Sequence, residues 1–513
     1  MMIPLFCLSA SGEQTFWEQY RSFGGLTVNG DINTIISDAR YVYAFSSSSG
    51  IRYDKLWNKW EYTFPRQLPA QNFKFTAIDP YFDDLYFIFS DRLVLYRIAS
   101  DIQYPPIYLS GIIEQVAFSA EGIWVQTTKG YYLCNRWTGK SNKMDVAPSN
   151  ITWYGKINRE SLRNDQHLFF LADPLWDKWA GLHYLTAYAA EFAGRYVWAA
   201  YSGMGLWRYD NITGERTQIT KGLLSSSNVN GLYAFENTVG ITGDGGVTLV
   251  NTERDQWQQL DRMFNLDLKN YHPSCLVYDT KTLYIGTNRG VVVLKRGDDF
   301  ASVISSYDKL PDDEIISLSL VSDTLWIGTK NGLAFYQINT KGSVENCKGA
   351  DGNIILDIAA DHRYLYLATN QGALMLDRAD SLRILRYDSK APPEIFGEIL
   401  GVALDGDDIW WLTGDLLFRY DKIKMLWERY SWTDKYNAGR GVVFAVDKSN
   451  LWIGTNNGLV RYKKSEKIWT VYRGKDGLLD DAITQVLSYN GILWVGGEHG
   501  LSVFLWQKGD LKK

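Results

Sequence analysis

Apolar residues run consecutively, not alternately, through short segments of this chain, and polar turns cut the runs off at near-regular intervals. Leu451-Trp452-Ile453 is one such run; Thr455 to Asn457 ends it, and a second run starts at Leu459. Asn457-Gly458 between two β-prone runs suits a tight hairpin, because both residue types tolerate positive φ. Consecutive apolar positions imply a strand buried on both faces, as in a sheet packed between two neighbouring sheets. The pattern predicts strand, two-residue turn, strand.

The same dozen residues return as LWIGTKNGLAFY at 325–336 and LYIGTNRGVVVL at 283–294. Anchored on the second residue of the LW pair, copies fall at Tyr43, Tyr86, Trp124, Trp198, Val239, Tyr284, Trp326, Tyr366, Trp410, Trp452 and Trp494. Intervals are 38 to 45 residues except the 74 between Trp124 and Trp198. The hairpin glycine recurs at Gly50, Gly130, Gly205, Gly246, Gly290, Gly332, Gly372, Gly458 and Gly500. Arg92 and Leu416 stand near its place in the two remaining copies, which must turn differently. A segment such as ITQVLSYNG (483–491) precedes each hairpin, and one such as KIWTVYRGKDGL (467–478) follows it. Four short strands in roughly 40–50 residues describe a β-propeller blade; no helical period is sustained, and leucine-rich solenoids repeat faster.

Composition agrees with this reading. The 20 Trp, 33 Tyr and 45 Gly suit blade faces and hairpins. A chain of 513 residues has room for more than one core. Eleven anchors exceed the usual four to eight blades of one ring, so the expectation is an all-β chain of tandem β-propellers, with 11 or 12 four-stranded blades over two rings. The long interval has room for a twelfth unit, with its second strand in NITWYGK (150–156) and its third in HLFFLAD (167–173). TFWEQYRSFGGL (15–26) matches the outer-strand segment 467–478, while the last unit ends at LSVFLW without one. Residues Phe16 to Tyr20 are therefore expected to complete the blade containing Trp494. The expected division is 1–12 as a signal-peptide remnant, 13–180 plus about 430–513 as the first propeller, and about 181–430 as the second.

The elements W-x-x-Y, then GL, then LWIGT-x-x-GL-x-x-Y resemble the two-component regulator propeller repeat, most clearly in the units ending at Tyr336, Tyr462 and Phe504. The resemblance weakens toward the N-terminal third but covers most of the chain. It implies tandem propellers like those in the extracytoplasmic sensor regions of bacterial hybrid two-component proteins, which often recognise glycans. It also extends to separate secreted or surface-assembly propellers. The sensors continue into a β-sandwich, a membrane helix and a kinase. In this sequence there is no apolar run of ~20 residues and no kinase signature. The expectation is a free-standing propeller, or one that signals through a separate signalling or envelope protein.

MMIPLFCLSASGEQ carries a short apolar run, Ile3 to Leu8, then small residues, and resembles the tail of a secretory signal peptide without its positive region. A periplasmic or secreted location is expected, with the cytoplasm as the alternative. Cys7, Cys134, Cys275 and Cys347 are too scattered for a disulfide framework or metal cluster. Net charge −5 argues against a nucleic-acid surface.

Candidate chemistry is sparse. The five histidines, His167, His183, His272, His362 and His499, show no zinc spacing, and neither a phosphate loop nor a GxSxG turn is present. DGDD (405–408) reads as a solvated turn between strands, and no cofactor or metal is expected. Propellers usually bind at one ring face, where hairpins and blade-entering loops converge. That face would carry Asp244, Asn288, Asn331, Asn370, Asp415, Asn456 and Glu498, all able to hydrogen-bond a sugar hydroxyl or a peptide, although hairpins favour Asn and Asp anyway. The irregular stretch 135–183 breaks the repeat and holds Trp137, Trp153, Tyr154, Arg159, Arg163, His167, Trp176, Asp177 and Trp179. Aromatic residues with charged neighbours suit glycan stacking or a protein hot spot; a degenerate blade is the plainer alternative. The expected function is non-catalytic recognition or sensing of a glycan or protein partner at the cell envelope. The alternatives are an envelope assembly or secretion scaffold and a propeller-fold polysaccharide lyase or hydrolase, for which His167 with Arg163, or His183 with Tyr184, would have to converge in a cleft.

Overall fold

The computed structural model describes residues 5–8, 14–20, 32–46, 50–57, 59–61, 64–65, 73–155, 185–190, 195–201, 205–218, 224–253, 256–263, 265–298, 300–338, 343–380, 383–385, 391–432 and 437–504. Within them the protein is all-β. Eleven antiparallel sheets have blade order, eight of four strands and three of five, and a small two-stranded sheet joins Arg262–Met263 to Leu266–Asp267. Every one of the eleven anchors lies on the second strand of its sheet, as Trp452 does on Asn450–Thr455.

The repeated motif has a local physical logic. In the Trp452 blade, Thr455 stands opposite Gly458, so the two-residue turn is Asn456-Asn457 and not Asn457-Gly458. The positive φ falls on Gly458, at 117°, which is the hairpin with a glycine following the turn rather than the primed turn the Asn-Gly pair suggests. Thr455 locks the turn: its hydroxyl donates to Gly458 O at 2.6 Å and accepts from Asn457 N at 3.1 Å. Thr287, Thr329 and Thr369 repeat this lock. Gly454 serves a different purpose. A Cβ there would lie 2.6 Å from Ile483 Cγ2 of the following blade, so glycine permits the close approach of two sheets. Asn450–Thr455 is buried at every position, as a run of consecutive apolar residues demands.

Two compact units result. The described residues of 32–155 and 185–218 form one; the strands Leu5–Leu8 and Gln14–Tyr20 with 224–504 form the other. The second unit is a closed ring of seven blades, anchored from Val239 to Trp494 in chain order, with each inner strand packed on the next. Closure joins the last blade to the first: Thr484 Oγ1 donates to Val229 O at 2.6 Å, Gln485 Nε2 to Asn230 O at 2.8 Å, and Val229 N to Gly497 O at 3.0 Å. Trp494, Leu501 and Val503 share an apolar cluster with Val229, Ile241 and Trp257 across the same seam. Gln14–Tyr20 runs antiparallel beside Leu501–Phe504, with Trp17 opposite Phe504 and Glu18 opposite Val503, so it supplies the outer strand that the last blade lacks. The break points near 180 and 430 do not coincide with these units. The blades from Val239 to Trp494 are one uninterrupted series, because every one buries its faces against its sequence neighbours.

In the first unit the Tyr43, Tyr86 and Trp124 blades follow one another, and the Trp198 blade packs back on the Tyr43 blade, with Tyr53 and Trp198 rings 5.3 Å apart. The expected second strand of a twelfth unit is corrected here. Trp153–Tyr154 is no second strand but a fifth strand on the Trp124 blade, beside its inner strand Ile113–Phe118. Its rings lie against Tyr131 at 6.1 Å and Phe118 at 5.8 Å. HLFFLAD lies outside the described residues.

Charged pairs join consecutive blades at a recurring register. Lys464, Lys422 and Arg136 each sit twelve residues after their blade's anchor. They reach back to Asp405 at 2.6 Å, Asp361 at 3.2 Å and Asp79 at 2.5 Å of the preceding blade. Polar groups at the start of the inner strand add a second seam. Ser317 Oγ donates to Ile355 O at 2.8 Å, and at the equivalent register one blade later Asp357 accepts from Val402 N at 2.9 Å and from Ile358 N at 2.8 Å. Burial pushes the Asp357 carboxyl up to about 6, against those two N–H groups, which favour the charged form. The folded state therefore prefers the protonated acid. The stability this contributes is fully present below about pH 4 and is lost as pH rises through 6. The residue keeps some accessible surface, so the loss is discounted to about 1–2 kcal/mol. Denaturation curves at pH 4 and pH 7 should show that fall in the wild type and its absence in Asp357→Ser, the residue type used at 317; parallel pH profiles would refute it.

Candidate functional site

The seven hairpin residues come from the seven blades of the ring, one each, at the turn between second and third strands. Antiparallel order puts these turns at the same end of every blade as the loop entering the inner strand. Direct bonds tie the two together: Asn288 N donates to Tyr271 O at 3.1 Å, Gly290 N to Asp313 O at 2.7 Å, and Gly458 N to Asp481 O at 2.6 Å. Asp313 and Asp481, in the LPDDE and LLDD loops, hold the short turns before them by accepting from Ser306 N at 2.6 Å and Gly474 N at 2.7 Å. Their recurrence is thus structural.

The hairpin residues divide by what their side chains already do. Asn370 Oδ1 accepts from Ile354 N at 2.9 Å and Asn456 Oδ1 from Arg440 N at 3.0 Å, each fastening the entering loop. Asp244 Oδ1 accepts from Asn230 Nδ2 at 2.9 Å. Asn288, Asn331, Asp415 and Glu498 are exposed, and none of their side chains has a hydrogen-bond or ion-pair partner among the described residues. Beside Glu498, His499 Nδ1 and Asp480 Oδ1 are 2.6 Å apart, a hydrogen-bonded pair on the rim that the repeat pattern did not single out.

In the irregular stretch, Trp153 and Tyr154 are half-buried blade residues. Tyr154 also borders a cavity of about 690 Å³ with Tyr81, Phe118, Ser119, Asn150 and Thr152. Trp137 is exposed nearby, its ring 5.2 Å from Phe82 and edge-to-face. Arg159, Arg163, His167, Trp176, Asp177 and Trp179 lie outside the described residues, as do the pairs named for a lyase. In DGDD, Asp405 is held by Lys464 and Asp408 by Arg419 at 2.8 Å, the arrangement of a charged turn. Cys134 and Cys347 are buried and Cys275 partly so; burial pushes the Cys275 thiol up to about 12. No helix among the described residues is long and apolar enough to cross a membrane.

Neither a protein-family model nor a curated protein matches the chain. Solved structures do. The extracellular domain of a one-component system from B. thetaiotaomicron is 13% identical over 98% of this chain and 75% of that one, with a TM-score of 0.37. Virginiamycin B lyase from Staphylococcus aureus is 13% identical over 54% of this chain and 94% of that one, with a TM-score of 0.43. A computationally designed protein, Ika8, is 14% identical over 63% of this chain and 97% of that one, with a TM-score of 0.40. At these identities the likeness concerns the fold, and the sheets themselves settle that: this chain is an all-β protein of antiparallel propeller blades.

Proposed function

We propose that the protein is a non-catalytic recognition propeller that binds a glycan or a protein partner at the cell envelope, in the periplasm or outside the cell. The observation that carries this reading is the rim of the seven-bladed ring. Seven equivalent turns converge there, and Asn288, Asn331, Asp415 and Glu498 present side chains that the fold does not use. Carboxamide and carboxylate groups on a ring of rigid hairpins are suited to hydrogen-bond hydroxyls or peptide groups at several points at once.

The test is a glycan array and an envelope-extract pull-down with wild type and with the quadruple variant N288A/N331A/D415A/E498A. These positions are exposed, so the variant should keep its melting temperature within a few degrees. Binding should fall at least tenfold. Equal binding by both proteins would remove the rim from the site, and turnover of an array glycan by the wild type would replace recognition by catalysis.

A further inference from the structure

The Trp124 blade breaks the rule by which one blade hands the chain to the next. After its outer strand Ser141–Met144 the chain returns to the same blade, where Trp153 pairs with Ala117 and Tyr154 with Val116. Antiparallel pairing brings Asn150 to Thr152 to the end of the blade that carries the turn between Phe118 and Ile123, opposite its Gly130 hairpin. The returning segment, that turn and the Pro80-Tyr81 turn of the preceding blade line the cavity of about 690 Å³. The volume suits about two sugar rings.

The polar groups of this lining are unused by the fold. Tyr154 is half-buried, and its hydroxyl keeps accessible surface and has no hydrogen-bond partner among the described residues. Burial first, and Asp79 second, push that hydroxyl's pKa up, so it remains a donor. The side chains of Glu121, Asn150 and Thr152 are exposed and also lack partners among the described residues. Together they set donors beside acceptors, which suits hydroxyl groups that are both. Charge favours a neutral ligand. No Lys, Arg or His is among the described lining residues. The neighbouring Arg136 is engaged by Asp79 at 2.5 Å and by the carbonyls of Ser119 and Ala120. An anion therefore finds no free cation, and a cation would share the Tyr81 ring with that guanidinium, 5.3 Å from its centre.

Beyond Tyr81 the rings continue. Tyr81, Phe82 and Trp137 are 54%, 47% and 66% exposed. Arg136 lies over both Tyr81 and Phe82, and the Phe82 and Trp137 rings are 5.2 Å apart, so the three form one ledge. A turn holds Trp137 in place: Asn135 Oδ1 accepts from Trp137 N and Thr138 N, both at 2.9 Å. Aromatic rings beside hydrogen-bonding groups match a pyranose, which has apolar faces and a hydroxylated edge.

We propose that this cleft binds an uncharged oligosaccharide, one ring hydrogen-bonded in the cavity to Tyr154, Glu121 and Asn150 and the next stacked on the ledge at Trp137. The site lies in the other compact unit from the rim and uses none of the rim residues. The experiment is an array of uncharged di- to tetrasaccharides of glucose, galactose, mannose and xylose, with uronate and sulfated counterparts, probed with the full chain. The wild type should bind at least one uncharged member, and its charged counterparts at least tenfold more weakly. Calorimetric titration with that member then compares variants. Trp137→Ala should weaken binding about tenfold, and Tyr154→Phe, which keeps the ring and removes the hydroxyl, about fivefold. Both should keep the wild-type melting temperature within a few degrees, since one side chain is exposed and the other loses only an unpaired group. The rim variant N288A/N331A/D415A/E498A should bind as the wild type does, which separates the two sites. Failure to bind any uncharged member, equal binding of a charged counterpart, or unchanged affinity in either Trp137→Ala or Tyr154→Phe would overturn the proposal. Loss of binding in the rim variant would overturn it in favour of the rim.

Discussion

Arg136→Met is expected to lower the stability of the unit containing the Trp124 blade by about 3–5 kcal/mol, the usual cost of breaking a buried ion pair from one side. Arg136 and Asp79 are 7% and 1% exposed, and the contact joins two consecutive blades at 2.5 Å. The guanidinium also lies over the Tyr81 and Phe82 rings, each at 5.3 Å, and donates to the carbonyl of Ser119. Methionine keeps the apolar stem but leaves the Asp79 carboxylate without its cation. The double variant Arg136→Met with Asp79→Asn should recover at least half of the loss. The asparagine oxygen can still accept from Tyr81 N, which Asp79 does at 3.0 Å, and no buried charge remains. Chemical denaturation followed by tryptophan fluorescence measures both. A single-variant loss below about 1 kcal/mol would show the pair to be no more than a surface contact.

Removing residues 1–23 should be as damaging to the other unit. The strand Leu501–Phe504, buried at all four positions, would lose its outer partner and expose a row of unpaired backbone groups. A loss of about 3 kcal/mol corresponds to a fall in melting temperature of roughly 4–5 °C for a unit of this size. The truncated protein should also self-associate, since an open edge pairs with another edge. Calorimetry and light scattering check the two effects, and an unchanged melting temperature would mean that the N-terminal strand adds nothing to the ring.

Much of the fold was legible because a blade is a local object. The eleven anchors fall on second strands, since the run Leu-Trp-Ile can be satisfied only between two other sheets. The pairing of Gln14–Tyr20 with Leu501–Phe504 was legible from one surplus outer strand and one deficit. The turn type was misread because Asn-Gly is a primed-turn signal on its own; the threonine lock, visible only in three dimensions, shifts the turn by one residue. The place of Trp153–Tyr154 was misread as well. A short apolar pair does not say which edge of a sheet it joins. The ring partition and the charged pairs between blades depend on which blade follows which in space. Lys464 and Asp405 meet across 59 positions, and no local pattern links them. Of the candidate site, the positions of the rim residues were readable from the repeat, but their availability was not: Asn370 and Asn456 are committed to their neighbours, while Asn331 is not.

The pairing of Trp17 with Phe504 also sets an order of events during synthesis. The outer strand of the last blade, Gln14–Tyr20, leaves the ribosome about 480 residues before its partner, Leu501–Phe504. At about 5–20 residues per second, the interval between them is roughly half a minute to a minute and a half. Throughout that time Gln14–Tyr20 has no native neighbour on the side that Leu501–Phe504 will occupy. Blades from Val239 onward can dock one after another as they emerge, each on the face its predecessor offers. The seam cannot be sealed until Leu501–Phe504 has emerged, so the seven-bladed ring is closed by a strand made before all of its blades meeting the strand made after them.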